Sequence, residues 1–259
     1  VYRFFYLTEK FIFAKKQKTN RMKKLYSALL ALLLLASFPA LAQKGLYFGI
    51  AGTVQSTLIT NQNNYGLPEM DYKTTFGGAA NLNVGFDFTN HLGIKIELGY
   101  GKYGQKYTDT RDSSTFDRNI KLNCLTIPIM LKYRTGGPII KFYIAIGPQF
   151  NMLMAAKQTY NKNGFPYMED VDDTITHSTF KVGQEEIKER FSSMDVLARM
   201  DLGLDITLVK HLMIEFGIKF GYGLMDLNAT DYHIKDHSGA YHPSHNVFGG
   251  LTLGLNYRL

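Results

Sequence analysis

Ten ionisable residues recur at alternate positions of otherwise apolar segments: Asp87, Lys95, Glu97, Lys132, Arg199, Asp201, Asp205, Glu215, Lys219 and Arg258. Both signs occur, so side chains on neighbouring segments can pair as ions. The same groups could instead line a conducting pore or relay protons. Glu97 and Glu215 are of the type that works in pairs in glycosidic hydrolysis, where the separation of the carboxylates sets the outcome. Nothing in the sequence fixes their separation.

A second concentration lies in residues 231–245, "DYHIKDHSGAYHPSH", with His233, His237, His242 and His245, four of the seven histidines. Imidazoles at this density can bind a transition metal. Their spacing matches no established site, and such loops are often solvated. Ser244-His245 and Asp231-His233 are residue types of a surface hydrolase, without the nucleophile turn that would accompany one. No catalytic, cofactor-binding or metal-ligating residue is therefore assigned, and no cofactor is expected.

The segments that carry these residues alternate with a period of two. They lie near 45–56, 75–89, 92–107, 119–134, 139–155, 194–209, 211–225 and 249–259. In the third, Leu92, Ile94, Ile96, Leu98 and Tyr100 alternate with Lys95, Glu97, Gly99 and Gly101. In the sixth, Met200, Leu202, Leu204, Ile206 and Leu208 alternate with Arg199, Asp201, Asp205 and Thr207. This period predicts strands, and helical periodicity is nearly absent, so the fold class is all-β. Pro128 cannot donate to a ladder, which predicts a bulge or local break there. Cys124, the one cysteine, permits no internal disulfide and reads as a small buried hydrophobe.

Short joins near 90–91, 135–138 and 210–211 alternate with long connections near 57–74, 108–118, 156–193 and 226–245. Within the third of these, residues 183–191, "GQEEIKERF", could form a short helix. Short turns at one end and long loops at the other predict an eight-stranded antiparallel up-and-down barrel over residues 43–259.

A soluble barrel would put the apolar face inside, and a transmembrane barrel would reverse the faces. The strands reach the roughly 9–11 residues needed to cross a bilayer. Aromatic residues recur at strand ends (Tyr47, Phe88, Tyr100, Tyr133, Tyr222, Tyr257), as an interfacial belt requires. The long loops share one end, expected to lie outside the cell, with the short turns in the periplasm. An eight-stranded barrel is only wide enough for side chains to fill, so the charged face reads as a packed ionic plug.

Residues 22–42, "MKKLYSALLALLLLASFPALA", have the basic start, apolar core and small-x-small end of a cleavable signal peptide. A transmembrane anchor is the other reading, but the apolar core is short for a span of roughly 20 residues. Residues 1–21 read as an over-extended N-terminus, or else as a long n-region. Residues 1–42 carry eight basic residues and one acid, and the remainder holds 21 of each. The basic character of the whole chain therefore belongs to the leader and does not support a nucleic-acid partner.

The alternation continues to Tyr257 and Leu259. In a closed barrel the last strand must pair along its length with the first. An aromatic near the end with a terminal hydrophobe also resembles the signal read by the outer-membrane assembly machinery. "LGIKIELGYGKYG" (92–104), "LTIPIMLKYR" (125–134), "FYIAIGPQF" (142–150) and "FGYGLMDL" (220–227) occur in this order. Together they resemble the PorT-type outer-membrane β-barrel family of Gram-negative envelopes. The resemblance implies a porin-like, eight-stranded integral barrel in the cell outer membrane, surrounded by its lipid, and does not imply a catalytic site. One member of that family is associated with protein secretion. The expected function is non-enzymatic, with extracellular loops contacting envelope or secretion partners. A small passive channel and a rim-located barrel enzyme are the alternatives.

Overall fold

The computed structural model describes residues 45–61, 69–168, 170–173, 178–181, 183, 185–233, 235 and 239–259. Residues 1–21, the segment 22–42 expected to be a signal peptide, and His237 lie outside the described residues. The strands are β1 (Leu46–Ile59), β2 (Asp71–Lys73), β3 (Thr75–Asp87), β4 (Leu92–Arg111), β5 (Ser114–Gly136), β6 (Ile140–Lys162), β7 (Phe165–Pro166), β8 (Asp170–Asp173), β9 (Ser178–Lys181), β10 (Met194–Val209), β11 (Leu212–Gly223) and β12 (Asn246–Arg258).

β1, β3, β4, β5, β6, β10, β11 and β12 form a closed antiparallel ring in chain order. β12 closes it on β1, in register from Tyr47 opposite Arg258 to Ile59 opposite Asn246. Closure leaves no open strand edge, which in hydrocarbon would expose unpaired N–H and C=O groups. β2 extends the sheet beside β4, β7 extends it beside β6, and β8 and β9 make a separate hairpin.

The ring is apolar outside and polar inside. Ile96 is 46% exposed, while its neighbours Lys95 and Glu97 are 0% exposed. The same division holds on β10, where Leu202 faces out and Asp201 in. A soluble barrel is excluded by this arrangement, because water would meet the isoleucines and the charges would be desolvated.

Glycine makes room for the large interior side chains. A Cβ on Gly203 or Gly217, which pair with each other, would run into the hydroxyl of Tyr143. A Cβ on Gly85 would run into the ring of Tyr47. The lumen is thus packed by aromatic rings laid over glycines.

Toward the long-loop end the polarity inverts. On β4, Leu98 and Tyr100 face out, but two residues further Lys102 and then Lys106 do, while Tyr103 and Tyr107 turn in. On β5, Lys121 faces out and Ile120 and Leu122 in. On β6, Lys157 faces out and Ala156 and Tyr160 in. This is the pattern of a sheet in water, so these three strands leave the membrane and continue as a water-facing extension.

Four expectations change. Residues 108–118 are not a loop: β4 and β5 pair up to Arg111 and Ser114, leaving a turn at Asp112 and Ser113, both at positive φ. Polar residues there reflect water on the outside of a strand, not loss of the strand. Likewise β6 runs to Lys162, inside the expected connection 156–193. Tyr47 is not part of the aromatic belt, because strand parity turns it into the lumen, where it is 0% exposed. Among the described residues of 183–191, the helical element is a single 3-10 turn, Lys188–Arg190. Pro128 does interrupt pairing: the β4–β5 ladder omits Glu97 and Leu98 opposite Ile127 and Pro128. The nearby register shift on β6 falls between Leu153, opposite Cys124, and Ala155, opposite Asn123.

Candidate functional site: the lumen and the long-loop rim

The charged face of the strands converges on the barrel axis. At the short-turn end Arg134 contacts Asp87 and Asp205, and its Nη2 donates to the Tyr47 hydroxyl at 3.0 Å. Arg258 reaches Asp87 at 3.0 Å. One layer deeper, Lys132 bridges Asp205 at 2.9 Å and Glu215 at 2.7 Å, and its ammonium lies 3.9 Å from the centre of the Tyr143 ring. Lys95 then bridges Glu215 at 2.7 Å and Glu97 at 2.9 Å. Arg199 meets Glu97 at 3.0 and 3.2 Å and Asp201 at 2.7 Å, and Lys219 approaches Glu97 at 3.4 Å.

All ten residues anticipated on the charged face belong to this chain of contacts. Desolvating so many ions is costly, and only such close, multiply hydrogen-bonded pairing offsets it. Glu97 and Glu215 are brought near each other, but with Lys95 between them and 0% and 1% exposed. A hydrolytic pair must flank a substrate bond, and this geometry leaves neither carboxylate a reachable face.

Above the ions the lumen becomes apolar. Gln149 marks the change, donating to the Tyr103 hydroxyl at 2.9 Å and accepting from Arg199 at 3.1 Å. Beyond it Leu122, Cys124, Leu153, Leu197 and Phe248 pack together. Ile187, Phe191 and Leu227, from the two long connections, complete this core. The Ile187 N–H donates to the Ala156 carbonyl at 3.1 Å, and the Ser192 N–H to the Leu227 carbonyl at 2.8 Å. An ionic layer is therefore followed along the interior by a second, largely apolar layer, in which Asn151, Asp195 and Asn246 are also buried.

The rim is organised around Asp226. It accepts from the Tyr241 hydroxyl at 2.6 Å and from the N–H groups of Asn228 and Ser244, each at 3.1 Å. His233 lies 3.0 Å from Asp226 and stacks on Tyr241, with ring centres 4.2 Å apart. Ser244 is buried, and its hydroxyl donates to the Asn61 carbonyl at 2.6 Å while accepting from Asn228 at 3.0 Å. His245 turns away to Met225 and Tyr222. The anticipated pairs Ser244-His245 and Asp231-His233 are thus not brought together as a nucleophile with its base. Among the described residues no three His, Cys, Asp or Glu side chains converge as a metal site.

Sequence reasoning missed Asp226, Tyr241 and Asn228, whose partnership is spatial. It also missed Ile187, Phe191 and Leu227, although isolated apolar residues in polar connections are a signal for segments that fold back onto a core.

A family model described as the outer membrane protein beta-barrel domain matches residues 37–229. Solved structures are similar in fold. Neisserial surface protein A is 10% identical, covering 83% of this chain and 98% of its own, with a TM-score of 0.43. OprG from Pseudomonas aeruginosa is 12% identical, covering 82% and 95%, with a TM-score of 0.41. The outer membrane enzyme PagL is 12% identical, covering 81% and 99%, with a TM-score of 0.36. No curated protein matches the chain by sequence. The chain belongs to the outer membrane protein beta-barrel domain family, and it is an outer-membrane protein.

Proposed function

We propose that this outer-membrane barrel is a non-enzymatic, closed scaffold that presents its long-loop end, outside the cell, to a protein partner of the envelope. The observation that carries the reading is the extension of β4, β5 and β6 beyond the apolar belt, above a filled lumen. A conduit needs an open interior, whereas a platform needs a rigid outer surface. The extension is hydrogen-bonded to its tip and displays Phe165, 73% exposed, and Met168, 64% exposed. Exposed apolar side chains on an ordered polar sheet are the anchors that protein interfaces use. The PorT-type motif resemblance makes a secretion or assembly component the partner class to seek.

The test is site-specific photocrosslinking in intact cells of the source organism. A photoreactive residue at Phe165 or Met168 should give a discrete adduct with one envelope protein. The same residue at Val209, on the short-turn end, should not give that adduct. Absence of any adduct at Phe165 and Met168, with the protein at normal abundance, contradicts the reading.

A further inference from the structure

We infer that one sector of the outer wall binds a phosphorylated, acyl-bearing lipid of the outer leaflet. The inference goes beyond the partner reading and rests on the outer-membrane location and on that reading's orientation, with the long-loop end outside the cell. Two independent features meet there, an apolar groove and, beyond its β4–β5 edge, three lysines without an ion-pair partner among the described residues.

The groove, of about 710 Å³, indents the apolar exterior where β12, β1, β3 and β4 run side by side. Its floor is Gly52 opposite Ala80, and Ile50, Leu82, Leu98 and Leu253 stand around them. A Cβ built on Gly52 meets nothing within 4 Å. The small residues therefore leave a furrow on a surface otherwise covered by large side chains. Its volume falls in the range of small-molecule sites, about 300–1,000 Å³, and its walls suit hydrocarbon chains.

Following β4 out of the groove, the outward positions read Leu98, Tyr100, Lys102 and, after Gly104, Lys106. Lys121 on β5 lies opposite Gly104. The register sets Lys106 opposite Lys73 and Lys121 opposite Lys157. Like charges directly opposite are unfavourable. Lys73 has Asp117 at 3.4 Å and Lys157 has Glu186 at 2.7 Å. Lys102, Lys106 and Lys121 have no acidic partner among the described residues. Toward the same end, outward positions of β10, β11 and β12 include Val196, Tyr222 and Val247. The cations are thus confined to the groove's side of the barrel, at the edge of the apolar belt, where lipid phosphates lie. Phe76, 73% exposed, stands beside them as an interfacial aromatic.

The chain has no tryptophan, so Tyr100→Trp supplies a single fluorescent reporter at the groove. The protein is reconstituted in phosphatidylcholine vesicles containing either brominated-chain phosphatidic acid or brominated-chain phosphatidylcholine. Quenching should show about a tenfold preference for the phosphatidic acid, since basic residues near a membrane surface each attract anionic lipid. A reporter at Met200→Trp, on β10, should show none. Lys102→Gln/Lys106→Gln/Lys121→Gln should abolish the preference, and the corresponding triple Arg variant should keep it. Gly52→Leu, which fills the furrow without touching a charge, should also abolish it. Excess inorganic phosphate should leave it intact. Equal quenching by the two lipids at Tyr100→Trp overturns the inference, as does a preference that survives the Gln or Leu variants. Loss to free phosphate would show a simple anion site and equally overturn it.

Discussion

Arg199 on β10 grips Glu97 on β4 across the lumen, through two contacts of 3.0 and 3.2 Å between residues 102 positions apart in the chain. The two strands are not neighbours in the ring, so the pair ties opposite walls rather than reinforcing a ladder. Removing one member leaves the other buried. Glu97→Ala takes from Lys219 its ion-pair partner, from Lys95 one of two, and leaves Arg199 with Asp201 alone among carboxylates, and should destabilise the barrel by about 3–5 kcal/mol in urea unfolding from lipid vesicles.

Glu97→Met/Arg199→Met should cost less than the sum of the single changes. It removes one charge of each sign, and Asp201 and Lys219, directly opposite on β10 and β11, remain to pair with each other. Additive losses would show that the cross-lumen pair does not couple the walls.

Much of this was legible from the alternation alone. Lys95 beside Ile96 and Asp201 beside Leu202 already separated an apolar face from a charged one, because a strand's period of two allows nothing else, and strand length with aromatic strand ends put the apolar face in lipid. The water-facing extension was not legible, since beyond the bilayer the same period carries the opposite polarity. Lys106 with Tyr107 and Lys121 with Leu122 look like soluble strands, or like loop, unless the boundary is known. Tyr47 was misplaced because an aromatic at a strand end suits either face, and the alternation of β1 sets it on the face opposite Phe48 and Ile50. The ties of Asp226 to Tyr241, Asn228 and Ser244 depend on loop conformation, which carries no period.

Arg in place of Ile96 or Phe216 should cost about 2–4 kcal/mol, the range for a cation facing lipid at mid-bilayer. Both side chains are 46% exposed on the apolar belt. Ile96→Leu should be near neutral. Unfolding in vesicles measures the difference, and an Arg tolerated as well as Leu would mean that the belt does not face hydrocarbon.

Deleting residues 256–259 removes the pairs of Arg258, Tyr257 and Asn256 with Tyr47, Phe48 and Gly49, and the contact of Arg258 with Asp87. The seam between last and first strands would then open at one end within the membrane. The truncated protein should cross the inner membrane but fail to accumulate in the outer membrane. It should also lack the mobility shift between unboiled and boiled samples that a closed barrel gives on a detergent gel. Normal insertion with a normal shift would mean that β12 does not need its last residues to close the ring.

Single-channel recording in planar bilayers tests the closed scaffold most directly. On the proposed reading, Arg134, Lys132, Lys95 and Arg199 occlude the lumen as ion-paired layers, with Leu197, Phe248, Ile187 and Leu227 packed in the layer above them. Purified wild-type protein that shows the heat-dependent gel shift should therefore leave the bilayer electrically silent. Stable, discrete openings from the same preparation would contradict the account and make the barrel a conduit.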